Sequence, residues 1–404
     1  MLLETQTRTA PATSWRYPDT GADRDLRIDF MRGMVMLILI IVHVELFSLY
    51  NFAVWERIGV VSGGEGFVIL SGYITGFISR RRIEEHGWKF AVRKLLGRAL
   101  QLWRINIFAI CLVALMVWIP KINLTSLTTF TDRGSNQVFQ LYPAPDASLD
   151  TWIVDILLLR IGPHELQILG LYVCLLILAP FILKAIAGGR TPHVLALSWL
   201  VYGINAVYPM TPTGSQFESG FPLLTWQVLF VHGLAIGYHR ERVWHFMGGK
   251  QGRSIFAAAC VLFVAFLFWA QNTPNPMIPS YARISIIPAD VYSAVYARFM
   301  QKNTLGILRL LNYASVLIVG YAALTRFWEP IRRSVGWFFI PLGQASLYVF
   351  IVHLVVVAAV DNFLPFGFPR DHHDLWINTV AHTAALATLW LLVRYKVLFR
   401  WIPR

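Results

Sequence analysis

The stretch Asp29-Phe30-Met31-Arg32-Gly33-Met34-Val35-Met36-Leu37-Ile38-Leu39-Ile40-Ile41-Val42-His43 decides how this chain is read. Its apolar run is long enough to enter a bilayer, yet it carries an acid and a cation at one end and an imidazole deep inside. An ionisable side chain at membrane depth costs roughly 2.5–3.5 kcal/mol on insertion scales, so its presence marks a pathway or a reactive site. Arg32 and His43 are eleven residues apart, about three helical turns, which puts them on one face roughly 16 Å apart. Asp29 falls on the same face. The stripe joins a charged pair at the membrane surface to a histidine expected near the bilayer centre. The plainer reading is a helix anchored by Asp29 and Arg32, with His43 bonded to a neighbouring helix.

Composition sets the class. Hydrophobic residues make up 56% of the 404 and charged residues 14%, with mean hydropathy +0.55; soluble proteins are about 45–50% apolar and about 25% charged. The chain therefore reads as an all-α polytopic membrane protein. Its net charge of +13 would suggest a nucleic-acid partner in a soluble protein, but in a membrane protein it is read first as topology. Cys111, Cys174 and Cys260 fall in apolar runs and fit neither a disulfide framework nor a zinc site. His372 and His373, flanked by Asp371 and Asp374, are too small a group to support a metal site.

Residues 1–25 are polar, with no apolar core of a signal peptide, and are expected to form a cytoplasmic tail. One membrane domain is expected over 26–400. Spans of about 20 apolar residues are expected near 30–50, 62–79, 99–119, 165–185, 193–209, 223–239, 254–271, 304–325, 337–360 and 377–396, ten in all. With the N-terminus inside, 26 of the 35 lysines and arginines fall on cytoplasmic segments or the span ends beside them. That asymmetry predicts that both termini are cytoplasmic. Two long outer segments, about 120–164 and 272–303, are mixed polar and aromatic, and Trp152 to Arg160 has helical spacing suited to lying at the interface. Asn123-Leu124-Thr125 matches a glycosylation sequon and is read as chance.

An Arg, ten intervening residues and then His, with Leu-x-x-Asp before the Arg and Gly after it, resembles the signature of the integral-membrane acyltransferase-3 superfamily. Within it, Gly64-Glu65-Gly66-Phe67-Val68-Ile69-Leu70-Ser71-Gly72-Tyr73 resembles the OpgC branch, named for succinylation of osmoregulated periplasmic glucans. Pro163-His164-Glu165-Leu166-Gln167 resembles the family's outer motif, and the segment from Leu342-Gly343-Gln344-Ala345-Ser346 to His353 its late motif. The chain departs from the branch at Asn106, where a histidine is usual. The resemblance implies an inner-membrane O-acyltransferase that moves a succinyl or acetyl group from cytoplasmic acyl-CoA to a glycan hydroxyl outside, with no metal.

The residues can be assigned roles on that basis. A neutral His43 can take a proton from the attacking hydroxyl, a contribution of typically 10²–10⁴-fold. The fork of Arg32 suits phosphate or carboxylate, Asp29 would orient it, and the roughly 16 Å from Arg32 to His43 compares with an extended pantetheine arm. Arg80-Arg81-Arg82 through Arg93, Lys94 and Arg98 forms the densest basic cluster, which suits either anionic lipid or the donor's phosphates. Whether Arg98 or Arg104 touches the donor is open. Glu65 is expected beside His43, as a second catalytic group or a bond to sugar. Ser71, Tyr73, Glu165, Trp226, Gln227 and His353 are polar groups in apolar spans, expected to line an acceptor cavity; each alone is more often a helix-to-helix hydrogen bond. The rival function is a transporter of sugars or anionic metabolites, which would also need midplane polar groups, but the repeat halves common in transporters are not found. A third is a non-catalytic partner of a polysaccharide machine. Oligomeric state is not legible in the sequence.

Overall fold

The computed structural model describes Trp15 and residues 25–119, 121–132, 137–144, 146–364 and 372–402. Apart from Trp15 and Asp25, the expected N-terminal tail lies outside the described residues, as does Asp371 beside the histidine pair of the last loop. Each of the ten expected segments contains helix: α1 Leu26–His43, α2 Gly63–His86, α3 Trp88–Met116, α4 Gln167–Ala187, α5 Thr191–Val207, α6 Leu223–Tyr238, α7 Lys250–Gln271, α8 Ile307–Arg326, α9 Gly336–Gln344 with α10 Ser346–Phe363, and α11 Leu375–Arg394. Six of them are long and apolar enough to cross a membrane, which makes this a multi-pass membrane protein. Of the other segments, α5 and α6 are short, at 17 and 16 residues. α1 carries Arg27, Asp29 and Arg32 within its 18 residues.

The first helix starts and stops differently from the expected span. The Asp25 carboxylate accepts the backbone N–H of Arg27 at 3.0 Å and caps α1, supplying an acceptor that the first turn lacks. α1 then ends at His43, so the imidazole closes the helix instead of lying in its middle. Beyond it Val44, Leu46, Phe47 and Ser48 stay buried without helical structure. The backbone carbonyls freed there are met by α11: Asn378 donates to the Phe47 carbonyl at 2.9 Å, and His382 Nε2 lies 3.2 Å from that of Ile41. Irregular backbone at membrane depth survives where protein satisfies it in this way.

Small residues decide which helices touch. Gly72 and Gly76 of α2 face Gly233 and Gly237 of α6, and a Cβ on any of the four would run into the partner's backbone. This is close approach through paired small-xxx-small stripes. A second such contact seats α9 on α1, with Gly33 against the Phe339 carbonyl and Gly343 against that of Asp29. Between α2 and α3 the chain turns at Gly87, whose φ of +81° suits glycine. In the best membrane windows of α4 and α10, 61% and 67% of residues are buried, against 17% for α7, so α4 and α10 are central and α7 peripheral.

The long segment before α4 is not wholly helical. β1 Thr129–Asp132 and β2 Gln137–Gln140 pair antiparallel, Thr129 opposite Gln140, a departure from the all-α expectation where threonine, phenylalanine and valine favour extended backbone. The helix expected from Trp152 begins earlier, covering Leu149–Leu157.

Candidate active site

Chain segments of α1, α2, α3 and the end of α11 bring the basic cluster together at one end of the bundle. A cavity of about 980 Å³ opens there. Arg82, Arg93, Lys94, Arg98, Arg394 and Lys396 line it, Arg32 lies within it, and it has no acid among its described lining residues. Arg32 Nη1 is 3.8 Å from the Asp29 carboxylate, while Nη2 donates to the Ser346 hydroxyl. The break between α9 and α10 at Ala345 puts that hydroxyl at a helix start, within reach of α1. Gln101, Thr75, Ser79 and Gln344 add polar groups along the walls.

At its other end the cavity meets rings. Phe67 and Tyr172 line it, 5.9 Å apart. Phe67 also lies 5.6 Å from Phe350, whose ring is 5.3 Å from that of His353. There His353 Nε2 lies 2.9 Å from His43 Nδ1, the two imidazoles stacked with centroids 5.0 Å apart.

The direction of these bonds follows from their last acceptor. A backbone carbonyl can only accept, so the contact of His353 Nδ1 with the Phe350 carbonyl places a proton on that nitrogen. His353 Nε2 is then the acceptor, and His43 Nδ1 donates to it. The lone pair of His43 is left on Nε2, which makes no hydrogen bond among the described residues; His43 itself is only partly buried. If Nε2 takes a proton, His353 already accepts from the resulting imidazolium. A third histidine, His164, packs edge-on at 6.1 Å from His43, with its Nδ1 3.4 Å from the buried Glu165 carboxylate.

The family described as OpgC protein matches residues 24–401. The chain belongs to the OpgC family. No curated protein and no solved structure matches it. Membership carries the coarse reading, a membrane acyltransferase that modifies glucan.

Measured against this OpgC site, several expected residues move. Arg98 lines the cavity, whereas Arg104 is exposed and borders only a shallow groove with Leu100 and Ile105. Six residues is 600° of helix, so the two arginines point to different faces. Ser71 and Tyr73, expected with the acceptor, face the basic end instead: Ser71 lines the large cavity, Tyr73 a neighbouring one of about 500 Å³, and Arg32 borders both. The reason is that α2 starts at Gly63 beside Leu39 and runs antiparallel to α1, so Ser71 is already roughly 12 Å along it.

Glu65, expected beside His43, bonds Ser62 and Arg309 instead. It is fully buried, accepts from the Ser62 backbone N–H at 3.0 Å and from the Ser62 hydroxyl, and pairs with Arg309 Nε. Trp226 is fully buried and donates to the Asn303 carbonyl at 3.1 Å. The Gln227 amide is used up between α5 and α6, on the Ser198 hydroxyl and carbonyl and the Leu224 carbonyl. Both therefore brace neighbouring segments with the polar groups that were expected to meet the acceptor. Glu165 is buried, with its carboxylate 3.4 Å from His164 Nδ1. His353, expected in an acceptor groove, is instead the partner of His43.

Sequence reasoning passed over Arg309, counting it as an outer cation, although an arginine three residues into an apolar span is the costly placement that flags a site. Its Nη2 binds Glu56 at 2.7 Å and its Nη1 the Met300 carbonyl at 3.0 Å. Glu56 also accepts from the Tyr296 hydroxyl at 3.2 Å; burial, then Glu56 itself, raises that phenol's pKa and keeps it a donor.

Proposed function

We propose that this protein takes a succinyl or acetyl group from acyl-CoA on the cytoplasmic side of the inner membrane and delivers it to a glucan hydroxyl on the periplasmic side. The observation that carries this reading is the chain from the Phe350 carbonyl through His353 to His43, which leaves His43 Nε2 free beyond a cation-lined cavity. The donor's phosphates pair with Arg82, Arg93, Lys94 and Arg98, and Arg32, held by Asp29 and Ser346, steers the arm inward past Phe67 and Tyr172. Bidentate and point charges of this kind are how proteins hold phosphate. His43 Nε2 takes the acceptor's O–H proton as the oxygen attacks the thioester carbonyl. The C–O bond forms, the C–S bond breaks, and the thiolate leaves with the proton from His43, giving ester and free CoA thiol. His353 positions His43 throughout.

On this reading the chain has ten spans with both termini cytoplasmic, residues 26–400 form one membrane domain, and the wider relatives are the acyltransferase-3 enzymes. Lipid is its surroundings, and neither metal nor nucleic acid enters the reaction. Purified protein given labelled succinyl-CoA or acetyl-CoA and a periplasmic glucan should move label to the glucan. Label that stays on CoA while proteoliposomes accumulate sugar or an anionic metabolite would instead establish the transporter.

A further inference from the structure

Ser71 and Tyr73 face the basic end and Trp226 and Gln227 brace other segments, so these four do not build an acceptor site at His43. A different set of side chains leads to it. The pairing of β1 with β2 sets Phe130 directly opposite Phe139, so the two rings share one face of the ribbon and stack with centroids 6.5 Å apart. Phe130 lies 5.3 Å from the His164 ring, and His164 lies 6.1 Å from His43. A row of rings thus runs from Phe139 through Phe130 and His164 to His43. It starts at the surface, where Phe139 is 44% and Phe130 39% exposed.

The ribbon is held at its base. Leu127 before β1 and Leu141 after β2 are buried. The Leu141 N–H donates to the Thr128 carbonyl at 2.9 Å, and the Leu141 carbonyl accepts from the Gly162 N–H at 3.2 Å, two residues before His164. Asn123 ties the approach to β1 onto the end of α10: its N–H donates to the Asn362 side chain and its carbonyl accepts from it, both at 2.8 Å. The chemistry of the rings differs from that of the donor cavity. Phe130 and Phe139 offer no charge to a phosphate, and Gln137, exposed and two residues before Phe139, stands on the same face of β2. A sugar suits such a surface, because its weakly positive C–H face stacks on the negative face of an aromatic ring and an amide both donates to and accepts from hydroxyls.

Resting on the acyl-transfer reading, we propose that Phe130 and Phe139 form a stacking platform for the neutral sugar rings of the acceptor, and that the glycan follows this row past His164 to His43. The steps between ring centres, 5.3 to 6.5 Å, are close to the length of one sugar unit, on the order of 5 Å by bond lengths. Donor and acceptor then reach His43 by separate routes. The donor comes from the cation-lined cavity beside the first half of α3, past Phe67 and Tyr172. The acceptor comes from the ribbon that follows the other end of α3, a helix of 29 residues, roughly 43 Å long.

Binding measured without acyl-CoA tests the platform apart from the chemistry. Full-length protein in detergent is titrated with a fluorescently labelled, neutral glucose oligosaccharide. Phe130→Leu and Phe139→Leu, which keep an apolar side chain but remove the ring, should each raise Kd roughly 2- to 10-fold, the range for one aromatic contact. Phe139→Trp should keep or tighten wild-type affinity. In the transfer assay the leucine variants should raise KM for the glucan and leave KM for acyl-CoA unchanged, a split that loss of folding does not produce. Unchanged oligosaccharide affinity in both leucine variants, or no binding by wild type, would overturn the platform and leave the two phenylalanines as lipid contacts. Ring-dependent binding by a protein that moves no label to glucan would keep the platform and overturn the acyl-transfer reading.

Discussion

His43 is held by one donated bond and offers one lone pair, and its substitutions separate its roles. His43→Gln keeps a polar side chain, so turnover should stay near wild type if the residue only packs and fall by at least ~10² if it is the base. Imidazole is also a nucleophile. Because the proposal is direct transfer, enzyme given labelled acyl-CoA without acceptor should retain no covalent label; stoichiometric label that disappears in His43→Ala would establish an acyl-histidine relay. Arg32→Ala should raise the KM for acyl-CoA, and Arg32→Lys should also be impaired because an ammonium cannot replace the planar fork that reaches Asp29 and Ser346. Glu65→Leu should act differently. It leaves the fully buried Arg309 with one carboxylate in place of two, so the loss should appear as stability, up to about 3–5 kcal/mol in unfolding.

Helix contacts in this protein depend on what is missing from the side chain. Gly72, Gly76, Gly233 and Gly237 let α2 and α6 meet backbone to backbone, and α2 also supplies Ser71, Thr75 and Ser79 to the cavity wall. Gly72→Val or Gly233→Val should therefore lower thermal stability in detergent and weaken donor binding together. Gly97→Ala is the control, since a Cβ there meets nothing within 4 Å. It should leave stability unchanged, although Gly97 borders the same cavity. If the control and the interface variants unfolded at the same temperature, the interlock of α2 with α6 would not be limiting. Helices α9 and α10 make a similar point: one apolar segment in the sequence is two helices in space, and the break at Ala345 is what brings Ser346 to Arg32.

At the scale of the whole molecule, the proposed orientation puts the cation-lined cavity in the cytoplasm, where acyl-CoA is made. Reporter fusions after Lys94, Arg190 and Arg333 should read cytoplasmic and fusions near Ser215 external; reversal at two or more sites would sink the orientation and the direction of transfer with it. Many features here were legible in the residues themselves: a multi-pass helical class from hydropathy, a helix in each apolar segment, the Asp29–Arg32 pair from i,i+3 spacing, and Arg32 and His43 on one helix about three turns apart. These are local or compositional properties, set by helix rise and by the cost of charge in lipid. What only the tertiary structure decided is which polar groups meet across helices. No spacing within one segment could show that Arg309 takes Glu65, that His353 lies against His43, or that Trp226 braces the segment at Asn303. Those partners are 244, 310 and 77 residues apart in sequence. Each buried polar group bonds whichever neighbour helix packing brings within reach, and in this bundle that packing is set by glycine contacts between whole helices.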